Sequence, residues 1–248
     1  MRMLTRELPL KSLVAVGLNY RSAALALRER LAVPTCELAE ALRTLRQAAN
    51  LHEAVILSTC NRLEIYGACS NVPAAQQAIA GFLSFRSRLP IAAFQDKLYR
   101  LSNDEAAAHL FHVTAGLDSM IFGESEVTTQ VKSAYQTAQA EGATGPILNR
   151  LFQKALHSAK IIRSRTHVAQ GHASIGSVVT ALAKRSFGDR LQECSVLLWG
   201  AGKAAEATAR HLTKQGVGEL WVVNRTATKA QALAASCRGG WLSWEKAL

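Results

Sequence analysis

The chain has 248 residues, 49% of them hydrophobic, so it is long enough for two modest domains with buried cores. Lysine and arginine total 29 against 18 aspartates and glutamates, and this net charge of +11 fits either a polyanionic partner such as nucleic acid or simply a soluble protein with a basic pI. Five scattered cysteines without a CxxC pair argue against a disulfide framework or a cysteine zinc site, and no apolar run is long enough to span a membrane.

The first part of the chain predicts a small sheet with helices. Short β-branched runs at 11–19 and 53–59 indicate strands, and 61–69 alternates loosely enough to form a third. Leucines spaced by four and three after Pro34 predict a helix between the first two strands, and another helix is expected after Pro73. The order strand, helix, strand, strand, helix is typical of an α+β arrangement.

The run ILSTCNRLEIYG places a thiol, Cys60, between two of these strands and among polar residues. A cysteine is nucleophilic as the thiolate, which a nearby cation favours, and Arg62 is two residues away. Thr59 and Asn61 could hold the oxygens of a substrate. The alternative is a structural cysteine at a strand end beside an exposed arginine.

From about 103 to 187 the pattern is almost wholly helical. A helix begins near Asp104 and can end at Gly116, and it carries His109 and His112 one turn apart. Such a pair can ligate a metal, but no carboxylate or cysteine of matching geometry accompanies it, so no metal is predicted.

Pro146 suits the first turn of a later helix, which has one apolar face. Opposite that face is a stripe of basic residues, which either follows phosphates or is an ordinary solvated surface. The stripe consists of Arg150, Lys154, His157 and Arg165. The segment after this helix is either helix or linker.

Beyond a domain boundary placed between about 165 and 190, the pattern changes to strand, turn, helix, strand and one further helix. The run LLWGAGKAAE leads a strand through a glycine turn into a helix, so backbone N–H groups would face a pyrophosphate. Ala205 stands at the third glycine position, which the G-x-G-x-x-A variant accommodates. These features predict a dinucleotide site formed by Gly200, Ala201, Gly202, Lys203, Ala204 and Ala205; the alternative is a Rossmann domain that has lost its ligand.

The end of the next strand indicates which dinucleotide would bind. NAD-binding proteins usually carry Asp or Glu there for the ribose 2′-hydroxyl. This chain instead has Asn224, Arg225 and Thr226, with Lys229 one turn further on. A guanidinium in place of a carboxylate fits a 2′-phosphate, so the sequence predicts NADP(H).

Several ordered motifs resemble the glutamyl-tRNA reductase family, whose members open tetrapyrrole synthesis from glutamate. VGLNYRSAALALRERL is similar to the family's first-strand motif, ILSTCNRLEIYG to its cysteine motif, and HLFHVTAGLDSMIFGESEVTTQVKSAY to its central helical motif. The similarity continues through LNRLFQKALHSAKIIRSRT and WGAGKAAEATARHL and covers nearly the whole chain.

The resemblance implies an NADPH-dependent oxidoreductase. Cys60 would attack the ester joining glutamate to the 3′ end of tRNA(Glu), forming a thioester, and NADPH would reduce this to glutamate-1-semialdehyde. His109 matches the family's activity-critical histidine, with a role in proton transfer, and Arg62 would pair with a substrate carboxylate. The implied substrate-binding residues are Thr59, Asn61, Arg62, Ser119, Glu124, Ser125, Glu126 and Gln130.

The chain also departs from the family pattern. Tyr20 and the run SAAL at 22–25 replace a usual histidine and a Thr-Ala-Pro run, and Thr129 stands where glycine is common. Glu126 replaces a usual glutamine and adds a negative charge beside a site meant to hold glutamate. We expect that charge to weaken or reshape substrate binding.

The fold expected from the resemblance is an α+β catalytic domain with a helical second half, followed by a partial Rossmann-like α/β domain. The first, at 1–165, would recognise glutamyl-tRNA, and the second, at 166–248, would be the N-terminal part of an NADP-binding domain. Its open half-sheet is expected to expose apolar surface. The family's dimerisation domain is absent from this sequence, so a monomer or weak association is expected where the family forms a homodimer.

The implied partners are glutamyl-tRNA(Glu) and the downstream glutamate-1-semialdehyde aminotransferase, with no membrane and no metal. The N-terminus lacks the apolar core of a signal peptide, which predicts a cytoplasmic protein with reduced thiols. Two other functions stay open. One is a reductase-derived protein that binds tRNA or a pathway enzyme without turnover, and the other is a remnant in which water discharges the thioester.

Overall fold

The computed structural model describes residues 11–169 and 175–247. The chain divides into two compact units, the first ending at Val168 and the second beginning at Ala169. We describe each unit by itself.

The first unit contains a four-stranded antiparallel sheet in the order β2-β3-β1-β4, covered by helices. Its strands are β1 Ser12–Asn19, β2 Glu53–Ser58, β3 Arg62–Cys69 and β4 Tyr99–Ser102. Its helices are α1 Leu25–Leu31, α2 Leu38–Ala48, α3 Val72–Ser87, α4 Asn103–Ala115, α5 Glu126–Ala140 and α6 Pro146–Arg165. The three predicted strands are confirmed, whereas β4 and α1 were missed because four and seven residues are too short to show a clear period.

The core of this unit lies between the sheet and the surrounding helices, and aromatic rings pack where β3 meets α6. Tyr66 of β3 is fully buried and packs edge-on against Phe152, with ring centroids 5.6 Å apart. Phe152 in turn stacks on Tyr135 of α5 at 5.3 Å. The predicted apolar face of α6 is therefore the buried face, and its basic stripe is turned away from the core.

A buried carboxylate fixes the start of α6. Glu53 of β2 is buried and accepts hydrogen bonds from the backbone N–H groups of Gly145 (2.9 Å), Ile147 (3.2 Å) and Leu148 (2.7 Å). These are first-turn donors that have no partner within the helix. A negative charge is also favourable at this end of the helix dipole, so Glu53 ties α6 to the sheet.

The second unit contains a parallel sheet in the order β5-β6-β7. Its elements are α7 Ile175–Phe187, β5 Ser195–Trp199, α8 Lys203–Lys214, β6 Glu219–Val223, α9 Ala227–Ser236 and β7 Gly240–Leu242. The segment left open as helix or linker is thus α7, and β7 is a strand that the sequence analysis missed because it has only three residues.

One face of this sheet is uncovered among the described residues. Leu197 and Trp199 of β5 are 47% and 50% exposed, and Trp241 of β7 is 40% exposed. Parallel sheets usually have helices on both faces, so this apolar surface is unusual for the architecture. None of the described helices is both long enough and apolar enough to cross a membrane.

Candidate active site

Cys60 lies at the tip of a hairpin that a single hydroxyl stabilises. Strands β2 and β3 pair antiparallel, and the Thr59 N–H donates to the carbonyl oxygen of Arg62 at 2.8 Å. The Thr59 Oγ1 accepts from the backbone N–H groups of Asn61 (3.2 Å) and Arg62 (3.1 Å). This hydroxyl-centred turn presents the Cys60 thiol, which is exposed, at the end of the sheet.

The hairpin tip borders a small cavity of about 40 Å³. Cys60 lines it together with all of the predicted substrate-binding residues except Ser125: Thr59, Asn61, Arg62, Ser119, Glu124, Glu126 and Gln130. A space of this size holds one or two water molecules, so a glutamyl group would enter only if exposed side chains at the rim move.

Two predicted residues lie outside this cavity. Ser125 is exposed immediately before α5, where its carbonyl oxygen accepts a backbone bond from Thr129. His109 of α4 packs its ring edge-on against Tyr99, with 5.0 Å between the ring centroids. The structure therefore places His109 behind the cavity wall rather than in the cavity lining.

The buried carboxylate of Glu64 connects His109 to that wall. Its Oε1 accepts from Arg62 Nη1 (2.5 Å) and Tyr99 OH (2.5 Å) and lies 2.9 Å from His109 Nε2. Its Oε2 accepts from Tyr66 OH at 2.5 Å. Glu64 has no solvent exposure, so these four groups alone compensate its charge.

This network shifts several pKa values. Burial alone would raise the pKa of Glu64, but the hydrogen bond to His109 and the charge of Arg62 outweigh it and lower the pKa to about 2. Burial and the adjacent Glu64 carboxylate both raise the pKa values of Tyr66 and Tyr99. Burial alone would lower the pKa of Arg62, but Glu64 more than offsets it, and the pKa is raised. Glu64 is thus ionised and both phenols are hydrogen-bond donors at neutral pH.

A second carboxylate holds the other side of Arg62. Arg62 Nη2 donates to the carbonyl oxygen (2.6 Å) and to Oδ2 (3.1 Å) of Asp118. Asn19 and Arg21 also bind this carboxylate, at 3.2 and 3.1 Å. Arg62 is only 2% exposed, so the arginine beside Cys60 is buried and not exposed, as the alternative interpretation had it. Three of the five guanidinium N–H bonds are occupied and two remain.

The groups around Cys60 favour the thiol over the thiolate. Although the residue as a whole is exposed, partial burial raises the pKa of its thiol, and the Glu126 carboxylate raises it further. The cation that lowers this pKa is Arg28 of α1, whose Nη1 donates to the Cys60 carbonyl oxygen and, at 3.3 Å, to Asn61 Oδ1. Arg62 was expected to favour the thiolate, but it is already paired with Glu64 and Asp118.

The opposite side of the cavity is acidic. Burial raises the pKa of Glu124, and the negative charge of Glu126 adds to this effect. Gln130 Nε2 donates to Glu126 Oε1 at 3.3 Å. Ser119 is buried, and its Oγ makes no hydrogen bond of normal geometry with any described residue, although it is near enough to Glu124 to oppose the rise in pKa.

Tyr20, which replaces a usual histidine, borders this region. Its hydroxyl donates to the carbonyl oxygen of Ser119 at 3.4 Å and accepts from Arg21 Nε at 2.9 Å. Its backbone N–H donates to the Asn61 carbonyl oxygen at 2.9 Å. Tyr20 therefore links the hairpin tip to the segment that carries Ser119.

Four residues that shape the site were not among the predicted ones. Arg28, Glu64 and Asp118 contact the predicted residues Cys60, His109 and Arg62 across 32, 45 and 56 positions of the sequence, and Tyr99 contacts Glu64 across 35. Of these four residues, only Glu64 could have been recognised from the sequence. A glutamate at an inward position of an apolar strand must have buried partners, so it indicates a buried ionic contact.

In the second unit, the glycine turn that precedes α8 is open. Gly200 has φ of +117°, a conformation that strongly favours glycine, and Gly202 directly precedes α8. Apart from the adjacent residues in the chain, no described heavy atom lies within 4 Å of where a Cβ would stand on either residue. Lys203 and Lys229 flank the adjoining cavity of about 460 Å³. Ala204 is exposed on the first turn of α8, whereas Ala201 and Ala205 pack against the core.

The residues after β6 form a polar corner. Asn224 Nδ2 donates to the Thr226 carbonyl oxygen at 3.1 Å, which holds the turn into α9. The guanidinium of Arg225 lies 5.5 Å from the ring centroid of Trp244, a cation–π contact that positions a positive charge at this end of the sheet. Within the two described ranges, no group of three or more His, Cys, Asp or Glu residues could hold a metal ion.

Two protein families match separate parts of the chain. A family described as "Glutamyl-tRNAGlu reductase, N-terminal domain" matches residues 16–166, and one described as "Shikimate / quinate 5-dehydrogenase" matches 181–245. The chain is 42% identical over 226 residues to a glutamyl-tRNA reductase of Moorella thermoacetica, covering 91% of this chain and 51% of that protein. It is 43% identical over 227 residues to one of Magnetococcus marinus, covering 92% and 54%.

A solved structure shows the same likeness. The glutamyl-tRNA reductase from Methanopyrus kandleri superposes with a TM-score of 0.63 at 30% identity, covering 95% of this chain and 55% of that one. The chain therefore spans about half the length of the curated relatives that it matches.

Proposed function

Because the chain belongs to the glutamyl-tRNA reductase family, we propose that it catalyses the NADPH-dependent reduction of glutamyl-tRNA(Glu) to glutamate-1-semialdehyde, the first step of tetrapyrrole synthesis. One observation carries this proposal. The Cys60 thiol stands at the tip of a fixed hairpin, beside a cavity lined mostly by polar residues and backed by a buried ionic network. That arrangement suits acyl transfer to a thiol.

In the proposed first step, the Cys60 sulfur attacks the carbonyl carbon of the aminoacyl ester. The C–O bond to the tRNA ribose breaks, a thioester forms and the ribose oxygen takes up a proton. Because the thiol pKa is raised, Cys60 needs a proton acceptor, and Glu124 is the carboxylate beside it whose own pKa is raised. Glu124 would accept the thiol proton and return it to the leaving ribose oxygen.

Charge complementarity guides the proposed substrate pose. The substrate carries an α-ammonium and a side-chain carboxylate, and the cavity has the acidic pair Glu124 and Glu126 on one side. The α-ammonium fits that side. The carboxylate fits the two unoccupied N–H bonds of Arg62, and Arg28 supplies a second cation near Cys60.

We propose that His109 acts through Glu64. Its Nε2 contacts the Glu64 carboxylate, which also binds Arg62, so the histidine orients the cavity wall and can pass a proton into the network. A direct role of His109 in proton transfer to the reacting carbonyl stays a prediction.

The glycine loop of the second unit fits a dinucleotide. The open space at Gly200 and Gly202 leaves the backbone accessible to a pyrophosphate, and Arg225 with Lys229 would hold a 2′-phosphate. When bound, NADPH supplies the hydride that converts the thioester carbonyl to an aldehyde and frees the thiol. On this proposal, 1–165 is the catalytic domain and 166–248 belongs to the cofactor domain.

Other expectations stay predictions. They concern an interaction with the aminotransferase, the weak or absent association of this chain with itself, and its cytoplasmic location. A binding protein without turnover is the second candidate function, and one observation favours it: Glu126, which replaces a usual glutamine, helps to keep Cys60 in its unreactive thiol form.

A single-turnover assay tests the proposal. Glutamyl-tRNA labelled in the glutamate would be mixed with the protein, with and without NADPH, beside the Cys60→Ser variant. Cys36→Ser is the matched control, since Cys36 is also exposed but lies elsewhere on the first unit.

Semialdehyde that forms only with NADPH and Cys60 is the expected result. Free glutamate released through Cys60 whether or not NADPH is present would mean that acyl transfer occurs without reduction. Unchanged glutamyl-tRNA would contradict the proposal and favour the binding protein.

A further inference from the structure

We propose that the exposed face of α6 binds the sugar–phosphate backbone of an RNA stem. This inference rests on the proposed function, in which the RNA is the stem next to the aminoacylated 3′ end of the substrate. The face is defined by Arg150, Lys154, His157 and Arg165, with Lys160 at its margin, and is called the α6 basic row below.

The charge on this helix is of one sign. The segment Pro146–Arg165 contains no aspartate or glutamate, although charged residues of both signs are usual on solvated helices. Every residue of the α6 basic row is exposed. The buried residues Leu148, Phe152, Ala155 and Ala159 lie on the opposite side, so the positive charges form one outward surface.

The α6 basic row also lacks internal counterions. None of the described carboxylates forms an ion pair with Arg150, Lys154, Lys160 or Arg165. Elsewhere in this unit, three cations on the surface are paired: Arg43 with Glu141 at 2.8 Å, Arg86 with Glu37 at 2.6 Å and Lys97 with Asp96 at 2.7 Å. Unpaired cations in a row are free to replace the counterions of a polyanion.

The dimensions suit a nucleic-acid backbone. Fifteen residues separate Arg150 from Arg165, which at 1.5 Å each gives a row roughly 22 Å long, enough to face several phosphates. Asn149 and Gln153 lie beside it and line the same groove of about 490 Å³, where their amides could bind ribose or phosphate oxygens.

The last turn of α6 reaches the candidate active site. Arg163 Nη2 donates to the carbonyl oxygen of Glu124, a residue that lines the Cys60 cavity. The C-terminal end of the α6 basic row is therefore separated from that cavity wall by little more than the helix itself, about 10 Å. An RNA strand along the row could extend its 3′ end around the helix toward Cys60.

RNA explains the surface better than an apolar partner does. Ile161 is the one large apolar side chain exposed on the described surface of α6, and it is only 36% exposed. A partner that binds by burying apolar surface would need a contiguous apolar patch there. The α6 basic row contains no Phe, Tyr or Trp on which an unpaired base could stack, which favours contacts to a stem backbone over base readout.

The test compares two triple variants of the full chain. Arg150→Gln, Lys154→Gln and Arg165→Gln change the α6 basic row, whereas Arg43→Gln, Arg86→Gln and Lys97→Gln remove three paired cations elsewhere. Both remove three positive charges, so net charge is matched. Binding of deacylated tRNA(Glu) is measured between about 50 and 200 mM salt.

We expect the row variant to raise the Kd for tRNA about tenfold or more. The slope of log K against log salt concentration should become shallower by about two to three, because three cations no longer replace counterions. The control should change the Kd by less than about twofold. Equal effects of the two variants, or an unchanged salt dependence in the row variant, would overturn the proposal. Binding of polyglutamate, a polyanion without ribose, is measured in the same way. If the row variant loses affinity for polyglutamate as much as for RNA, the proposal is also overturned, because the α6 basic row would then bind any polyanion.

Failure of this inference is distinguishable from failure of the proposed function. If wild-type protein transfers the glutamyl group but the row variant keeps wild-type RNA affinity, only the RNA surface is wrong. If no glutamyl transfer occurs but the row variant loses RNA affinity, the surface stands and the proposed function fails.

Discussion

The two units bury their sheets to very different extents. In the first, every residue of β3 and nearly all of β1 is buried, and the charged side chains inside are paired. In the second, alternate residues of β5 are exposed, and Leu197 and Trp199 lie on an uncovered face. The first unit thus has a complete core around its site, whereas the described part of the second presents an open sheet and an open loop.

The candidate sites of the two units differ in the same way, because one depends on contacts between distant residues and the other on a local backbone turn. Around Cys60, distant residues fix the geometry, because Glu64 and Asp118 hold Arg62 before any substrate arrives. At Gly200, the site consists of backbone whose shape follows from the local turn, and its side chains are largely exposed. Substitutions in the first unit should therefore act through the core, and those in the second through the ligand.

The largest effect is expected for Glu64→Gln. Removing this charge leaves Arg62 with one carboxylate and should lower the free energy of unfolding of the first unit by about 3 kcal/mol or more. Acyl transfer should fall more than about 100-fold, since the cavity wall loses its anchor. Glu40→Gln, an exposed glutamate of α2, is the control and should change neither.

The pH dependence sharpens this prediction. The folded-state pKa of Glu64 is lowered to about 2 from an ordinary 4.5. The ionised carboxylate therefore contributes fully to the free energy of unfolding above pH 4.5, and this contribution is lost as the pH falls toward 2. Tyrosine absorbance would report the first unit, which holds all four tyrosines of the chain. If the stability of the Glu64→Gln variant fell as steeply with pH as that of the wild type in this range, Glu64 would not be the group whose protonation destabilises the unit.

A matched pair of leucines tests the comparison directly. Leu18→Ala removes a fully buried side chain from β1 and should cost about 3 kcal/mol in the first unit. Leu197→Ala, in the half-exposed strand β5, should cost less than about 1 kcal/mol. Tryptophan fluorescence reports the second unit, where all four tryptophans lie, so chemical unfolding followed by both signals separates the units. Similar losses at the two sites would mean that β5 is covered in solution.

A smaller effect is expected at the glycine loop. Gly200→Ala forces a side chain into a φ of +117° and should destabilise the second unit by about 1–2 kcal/mol. Gly202 has an ordinary extended φ of −88°, so Gly202→Ala should leave stability unchanged while its methyl group obstructs a bound pyrophosphate. Titration with NADPH, read by tryptophan fluorescence, checks both variants. Unimpaired binding in Gly202→Ala would argue against a pyrophosphate at this loop.

The smallest effect is expected for Glu126→Gln, which restores the residue usual in the family. It removes a negative charge that raises the pKa of Cys60, so the pH profile of thiol alkylation should move to lower pH. The rate at neutral pH should rise by less than about tenfold, because Glu126 is exposed and screened by solvent. Iodoacetamide labelling followed by peptide mass spectrometry measures this, with Cys36 as the internal reference. If the pH profile of alkylation did not shift, Glu126 would not be a group that raises the pKa of Cys60.

Sequence patterns determined the local features of this protein, including the apolar face of α6, the glycine turn before α8 and the position of Cys60 between two strands. They did so because helix periodicity, turn conformation and strand pairing depend on residues that are close together in the chain. The motif resemblance likewise identified the family, which the comparisons confirm.

Only the tertiary structure decided how the site is charged. Arg62 looked like a free cation beside Cys60, but Glu64 and Asp118 occupy it, and Arg28 is the cation that acts on the thiol. Which carboxylate meets which cation depends on how distant segments pack, and burial then sets the strength of each pair. Neither the pairing nor the burial is encoded in residue spacing, so the ionic network behind Cys60 could be seen only in the folded chain.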